Sequence, residues 1–153
     1  KTFMYLFITL ICMASCSSSN DNSGNDDSQS SLAPSSLNGK VFSCPKIESC
    51  DCTTSKTFSN STFSVTYVLR DDQTIGTPTY TYTRSGNTAT MKMSLKTKTY
   101  VGYGNSFTLS YMYDLKLTFT SENDGYLSGT IKTTDSSLKT STKVLSNAPF
   151  SIF

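Results

Sequence analysis

The sequence predicts an all-β protein, an antiparallel up-and-down meander of about eight strands closed into a barrel. Three observations carry that expectation. Apolar and polar residues alternate with period two over most of residues 37–153, which marks strands with one buried face. Turn-forming pairs such as Gly86-Asn87 and Asp124-Gly125 separate the alternating runs, because Gly and Asn tolerate the positive φ of tight hairpins. The composition also suits strands: Thr and Ser abound, and Tyr and Phe, 9 of each, supply all the aromatics, with no Trp. Antiparallel strands in sequence order, each with one apolar face, can bury those faces by closing on themselves, which removes the sheet edges. A two-sheet sandwich is the alternative.

Taken in order, a weak first strand is expected at Val41–Cys44. Phe63, Val65, Tyr67 and Leu69 then alternate with Ser64 and Thr66, and Tyr80 and Tyr82 alternate with Thr79, Thr81 and Thr83. After the turn at Ser85-Gly86-Asn87 the chain returns through Ala89, Met91, Met93 and Leu95, with Thr90, Lys92, Ser94 and Lys96 on the other face. From Phe107 to Phe119 every odd position is apolar. At about 3.3 Å per residue that run extends roughly 43 Å, so it should coil around a barrel or bend at a bulge near Tyr113-Asp114. Glu122 to Gly125 is a second hairpin turn, followed by the inward face Leu127, Gly129, Ile131 and weaker strands at Ser141–Leu145 and Phe150–Phe153. No stretch after Cys16 shows a helical period, and there is no internal repeat.

The first residues belong to another kind of segment. Lys1 supplies a positive start, expected to follow directly on an initiator Met. The apolar run from Phe3 to Met13 is interrupted only by Thr9, and small residues Ala14 and Ser15 precede Cys16. This is the layout of a secretory signal, and the run is too short for a bilayer-spanning helix, which needs about 20 residues. Met13-Ala14-Ser15-Cys16 resembles the bacterial lipobox. The resemblance implies removal of residues 1–15, a diacylglycerol thioether on Cys16 and acylation of the new amino terminus; several acyl chains anchor firmly. An ordinary cleaved signal with a chance cysteine is the other reading. Residues 17–36 are rich in Ser, Asn, Asp and Gly and contain no Lys or Arg. They should stay disordered and, with Cys16, form a tether. Ser17 stands where many Gram-negative lipoproteins kept at the inner membrane carry Asp, so the resemblance implies the outer membrane of a Gram-negative envelope.

Residues 37–153 suffice for one domain with one core. Setting aside Lys1, Asp21, Asp26 and Asp27 leaves 12 basic and 8 acidic residues, a mild excess of four positive charges, and no nucleic-acid partner is expected. The chain has no histidine, which excludes serine–histidine and cysteine–histidine catalysis and removes the commonest zinc ligand. Asp71-Asp72 is the only adjacent carboxylate pair within residues 37–153, and strand neighbours point to opposite faces, so it reads as a solvated turn. No enzymatic activity, metal or cofactor is expected. Cys44, Cys50 and Cys52 fall close together, and in an oxidising compartment a disulfide from Cys44 to Cys50 or Cys52 is the default; free thiols or a metal site are the alternatives. Pro149 and Ser151 spoil the alternation that a transmembrane barrel would need near Phe153.

The start Leu37-Asn38-Gly39-Lys40-Val41-Phe42, the hairpin Tyr80-Thr81-Tyr82 to Gly86-Asn87-Thr88-Ala89, and Leu127-Ser128-Gly129-Thr130-Ile131 resemble the lipocalin-like (calycin-type) lipoproteins, with Val41 where that family usually has Trp. The resemblance implies a carrier, its calyx holding a small apolar or amphipathic ligand; a monomer is expected. Strand parity would give that calyx a wall of Tyr80, Tyr82, Met91, Met93, Tyr111 and Tyr113, or else a packed core of the same residues. Tyr100 and Tyr103, in the Gly-containing loop Tyr100–Asn105, could form a lip over its mouth. Lys92, Lys96, Lys116 and Lys132 share the outward parity of three strands; they are expected as solvated outer-face lysines that protect solubility, with a basic stripe as the other reading if those strands are neighbours. A second expectation is a protein- or glycan-interaction module with a filled core, an inhibitor or adhesion factor, acting through its loops. An interior cavity of several hundred Å³ separates the two.

Overall fold

The computed structural model describes residues 31–51, 53–67, 72–101 and 103–153. Nine strands and one short helix follow the order β1 (Val41–Ser43), α1 (Pro45–Asp51), β2 (Thr53–Ser59), β3 (Thr62–Tyr67), β4 (Gln73–Thr74), β5 (Thr79–Ser85), β6 (Thr88–Tyr100), β7 (Ser106–Phe119), β8 (Asp124–Asp135) and β9 (Thr140–Ile152). All pairings are antiparallel, and the sheet closes because β6 pairs with β7 as well as with β5. The result is a barrel of eight strands with β4 added, as the period-two pattern predicts.

The extra strand has a simple origin. Thr74 pairs with Thr97 of β6 and Thr79 with Ser94, so β4 and β5 lie along the same edge of β6. They are two parts of one path, interrupted between Ile75 and Pro78, where proline cannot donate to a ladder. β3 flanks the same path: Thr62 pairs with Thr79, the Phe63 amide donates to Pro78 O at 3.2 Å, and the Tyr67 hydroxyl meets Thr74 Oγ1.

The long strand β7 keeps its register against both neighbours throughout, so of the two expected outcomes it coils around the barrel and carries no bulge at Tyr113-Asp114. The irregularity lies in the β8–β9 pairing, between Leu127 and Gly129. Gly129, at φ 150°, is pressed so closely on β7 that a Cβ there would stand 2.1 Å from Asp114 O. Only a residue without a side chain permits that approach.

The apolar faces fill the inside. Phe42 stacks on Phe150 at 5.7 Å between ring centroids, Phe119 meets Phe150 edge-on at 5.2 Å, and Phe58 lies 4.4 Å from Tyr80. Above this layer Met91, Leu95, Leu115, Leu117 and Ile131 are 1% exposed or less. Tyr111 and Tyr113 stack at 6.3 Å nearer the α1 end. There the interior turns polar: Lys56 is 1% exposed, its Nζ donates to Thr53 Oγ1 at 2.8 Å, and it lies 5.6 Å from the centre of the Tyr113 ring.

Two further expectations are corrected. Residues 31–36, expected to belong to the tether, are packed as a strap across the Gly86-Asn87 end. Leu32 N donates to Asn87 Oδ1 (2.9 Å), Arg84 Nη1 to Ala33 O (3.0 Å) and the Tyr82 hydroxyl to Pro34 O (3.0 Å), with Ala33 fully buried. Cys44 and Cys50 are free thiols rather than a disulfide. The intervening residues form α1, opened by Pro45 and tied by Glu48 Oε1, which accepts from Ser43 Oγ (2.7 Å) and Cys44 N (3.0 Å). Six residues of helix rise about 9 Å, beyond the reach of a disulfide. Cys52, Cys16 and the signal and tether through residue 30 lie outside the described residues.

Candidate functional site

The calyx wall expected from parity is packed shut. Met91 is 0% exposed, Tyr113 2%, Met93 and Tyr111 3% and Tyr80 7%. Tyr82 is half-buried, its hydroxyl committed to the strap and its pKa pushed up to about 12 by burial, with Arg84 opposing. Burial also raises the Tyr80 phenol and the Cys44 thiol. Tyr100 and Tyr103 are exposed at the tip joining β6 and β7, and Lys98 Nζ lies 5.0 Å from the centre of the Tyr100 ring.

The open volume lies on the other side of the wall. A groove of about 700 Å³ crosses the outer face of β5, β6, β7 and β8. Register builds it from side-by-side outward residues. One row runs Thr79, Ser94, Met112, Lys132; the next runs Thr81, Lys92, Asp114, Thr130. Ser61 closes one side. Tyr80, Met93 and Tyr113 border the groove through the strands that carry them, while their side chains point into the core.

Met112 is the anomaly on this face. It is 61% exposed among threonines, serines and lysines, where the alternation would place a polar residue. Lys92 Nζ reaches Asp114 Oδ2 at 3.4 Å, with both side chains more than 60% exposed. Such an exposed pair contributes at most about 1 kcal/mol, so a bound anion can compete for Lys92. Backbone N–H and C=O groups along the groove are consumed in the β5–β8 ladders. The surface therefore offers hydroxyls that donate and accept, ammonium groups that donate, and one apolar thioether.

The strands that carry the four outward lysines are neighbours. Lys96, Lys132, Lys92 and Lys116 occupy four successive rows across β6, β7 and β8, with Asp114 the one carboxylate among the paired residues of those rows. Sequence reasoning named these lysines but missed Met112, Asp114 and Thr130, whose signal was outward parity combined with a register that only the fold supplies. Among the described residues no group of three Cys, Asp or Glu is arranged to hold a metal ion. No protein-family model, curated protein or solved structure matches this chain.

Proposed function

We propose that the protein is an exported, lipid-anchored recognition module that binds through the outer wall of its barrel. The observation that carries this reading is the reversal of inside and outside. The barrel interior is filled by side chains such as Met91, Leu115 and Leu117, while the roomy concave surface lies outside, over β5–β8. A carrier needs interior room of a few hundred Å³; a recognition module needs a rigid scaffold and an exposed set of polar groups, which the closed ladders and the Thr–Lys face supply. The anchor rests on Cys16 and its lipobox, with the outer membrane as the expected location.

Native mass spectrometry of the detergent-solubilised protein tests the reading. A recognition module flies at the mass of its acylated chain. A discrete additional mass of a small apolar molecule, lost on denaturation, would instead establish a carrier. Metabolic labelling with palmitate, lost in Cys16→Ser, tests the anchor.

A further inference from the structure

The outer groove has a charge pattern that narrows its ligand, and on the reading of the barrel as a recognition module we infer that it binds a linear anionic polysaccharide bearing carboxylate or phosphate groups. The carrying feature is the spacing of the cations. Lys96 stands in the row of Ser110 and Thr134; Lys132 in that of Ser94 and Met112; Lys92 in that of Asp114 and Thr130; Lys116 in that of Thr90 and Ser128. Successive outward rows along a strand are about 6.6 Å apart. One ammonium group per row over four rows spreads positive charge over about 20 Å along the strands, in a zigzag across β6, β7 and β8 with Lys92 and Lys132 inside the groove, and suits a polymer whose acid groups repeat.

The remaining surface selects a glycan over a peptide. A peptide could not extend the sheet at the lysines, because β6, β7 and β8, which carry all four, are paired on both sides within the barrel and β-augmentation needs a free edge; β5 pairs with β3 only through Thr62 and Thr79. A folded protein partner draws its affinity from buried aromatic and aliphatic anchors, and Met112 is the single apolar side chain directed outward in the groove rows of β5–β8, with Val144, 73% exposed beside Thr130 on β9, the next one along. Short hydroxyls surround it instead, from Ser61, Thr79, Thr81, Ser94 and Thr130. These pair naturally with sugar hydroxyls, while Met112 can pack on the apolar face of one pyranose ring. Asp114 holds Lys92 at 3.4 Å in the free protein, and an incoming acid group replaces that exposed partner.

The test is calorimetric titration of the full-length protein in neutral detergent with polygalacturonate and inorganic polyphosphate. Neutral dextran and poly-glutamate of matched length serve as comparisons. Binding to polygalacturonate that weakens with salt, falls about tenfold in Lys92→Gln and again in Lys132→Gln, and is unchanged in Lys139→Gln is the expected result. Tighter binding of polyphosphate places the acid group as phosphate; tighter binding of polygalacturonate places it as carboxylate. Equal affinity for dextran would overturn the role of charge. Equal or tighter binding of poly-glutamate would overturn the glycan assignment in favour of an acidic peptide. No binding to either polyanion by a protein that flies bare in native mass spectrometry would overturn this inference alone, whereas a resident small-molecule mass would overturn the recognition-module reading on which it rests.

Discussion

Two methionines on adjacent strands make a controlled experiment in what the barrel encloses. Met91 of β6 is 0% exposed and faces inward, in register with Tyr82 and Leu115; Met112 of β7 is 61% exposed and faces outward. Truncation to alanine removes the same three heavy atoms from each. At Met91 the lost transfer free energy is about 2 kcal/mol. A residual cavity of roughly 50 Å³, at about 24 cal/mol per Å³, adds ~1 kcal/mol. Met91→Ala should therefore cost about 3 kcal/mol. With an unfolding entropy of about 2.1 cal/mol/K per residue, or ~0.25 kcal/mol/K for this domain, that lowers Tm by about 12 °C. Met112→Ala should stay within about 0.5 kcal/mol of the parent. Urea titration followed by far-UV circular dichroism measures both, provided the slope with denaturant is unchanged. A cost below about 1 kcal/mol at Met91 would mean that the surrounding space is already wet or empty. The filled interior, and with it the argument for the outer face, would then be refuted.

Gly129→Ala should be destabilising by several kcal/mol, because its Cβ would meet backbone atoms at 2.1 and 2.9 Å and its φ of 150° disfavours any side chain; a melting temperature equal to the parent's would contradict the close β7–β8 approach. Thiol labelling of the native protein near neutral pH should modify Cys50 before Cys44, which is 1% exposed and whose thiol is raised by burial; equal rates at the two sites would argue against α1 as placed. Tyr82→Phe should cost about 1 kcal/mol by removing the hydroxyl bond to Pro34 O, and should speed proteolytic cutting between Ser31 and Ser36. The Tyr82 phenol, raised from 10 to about 12, keeps its proton in the folded state after the unfolded chain has lost its own. Its stabilising contribution is thus whole below pH 10 and disappears as pH rises towards 12. Unfolding curves across that window should fall less steeply in Tyr82→Phe, and identical slopes would rule out the buried phenol as a cause.

The second half of the fold was legible because its alternation is strict. β5, β6 and β7 lie where period two places them, as does the Gly86-Asn87 turn. Strand β2 was not legible. Its inward residues are Thr53, Lys56 and Phe58, so two of the three positions that should look apolar are polar. A lysine on a strand reads as solvated, and Lys56 turns inward because a hydroxyl and an aromatic face receive it. Helix α1 spans only 7 residues, too few to show a period, and its signals were Pro45 at the first position and Glu48 in the first turn. β9 runs unbroken through Asn147, whose φ of 48° makes Ser146-Asn147 look like a turn; the same residues serve as the irregularity opposite Leu127 and Gly129. For the candidate site, parity identified which lysines face out. Their zigzag order depends on pairing between β6, β7 and β8, which no local pattern encodes.

The strap gives the molecule a mechanical character. A pull applied through the chain preceding Ser31 reaches the barrel first at Ser31, whose hydroxyl donates to Gly86 O, and then at Leu32, Ala33 and Pro34, whose hydrogen bonds to Asn87, Arg84 and Tyr82 follow along the direction of peeling. They would yield in sequence, each at small load, before tension arrives at Leu37, which is 1% exposed, and at Gly39 and Lys40, where the Gly39 N–H donates to Phe58 O of β2 and the Lys40 C=O accepts from Phe58 N, at 2.9 Å each. Residues 31–36 therefore act as a fuse. They supply up to about 20 Å of extended chain under load and leave the closed ladders intact.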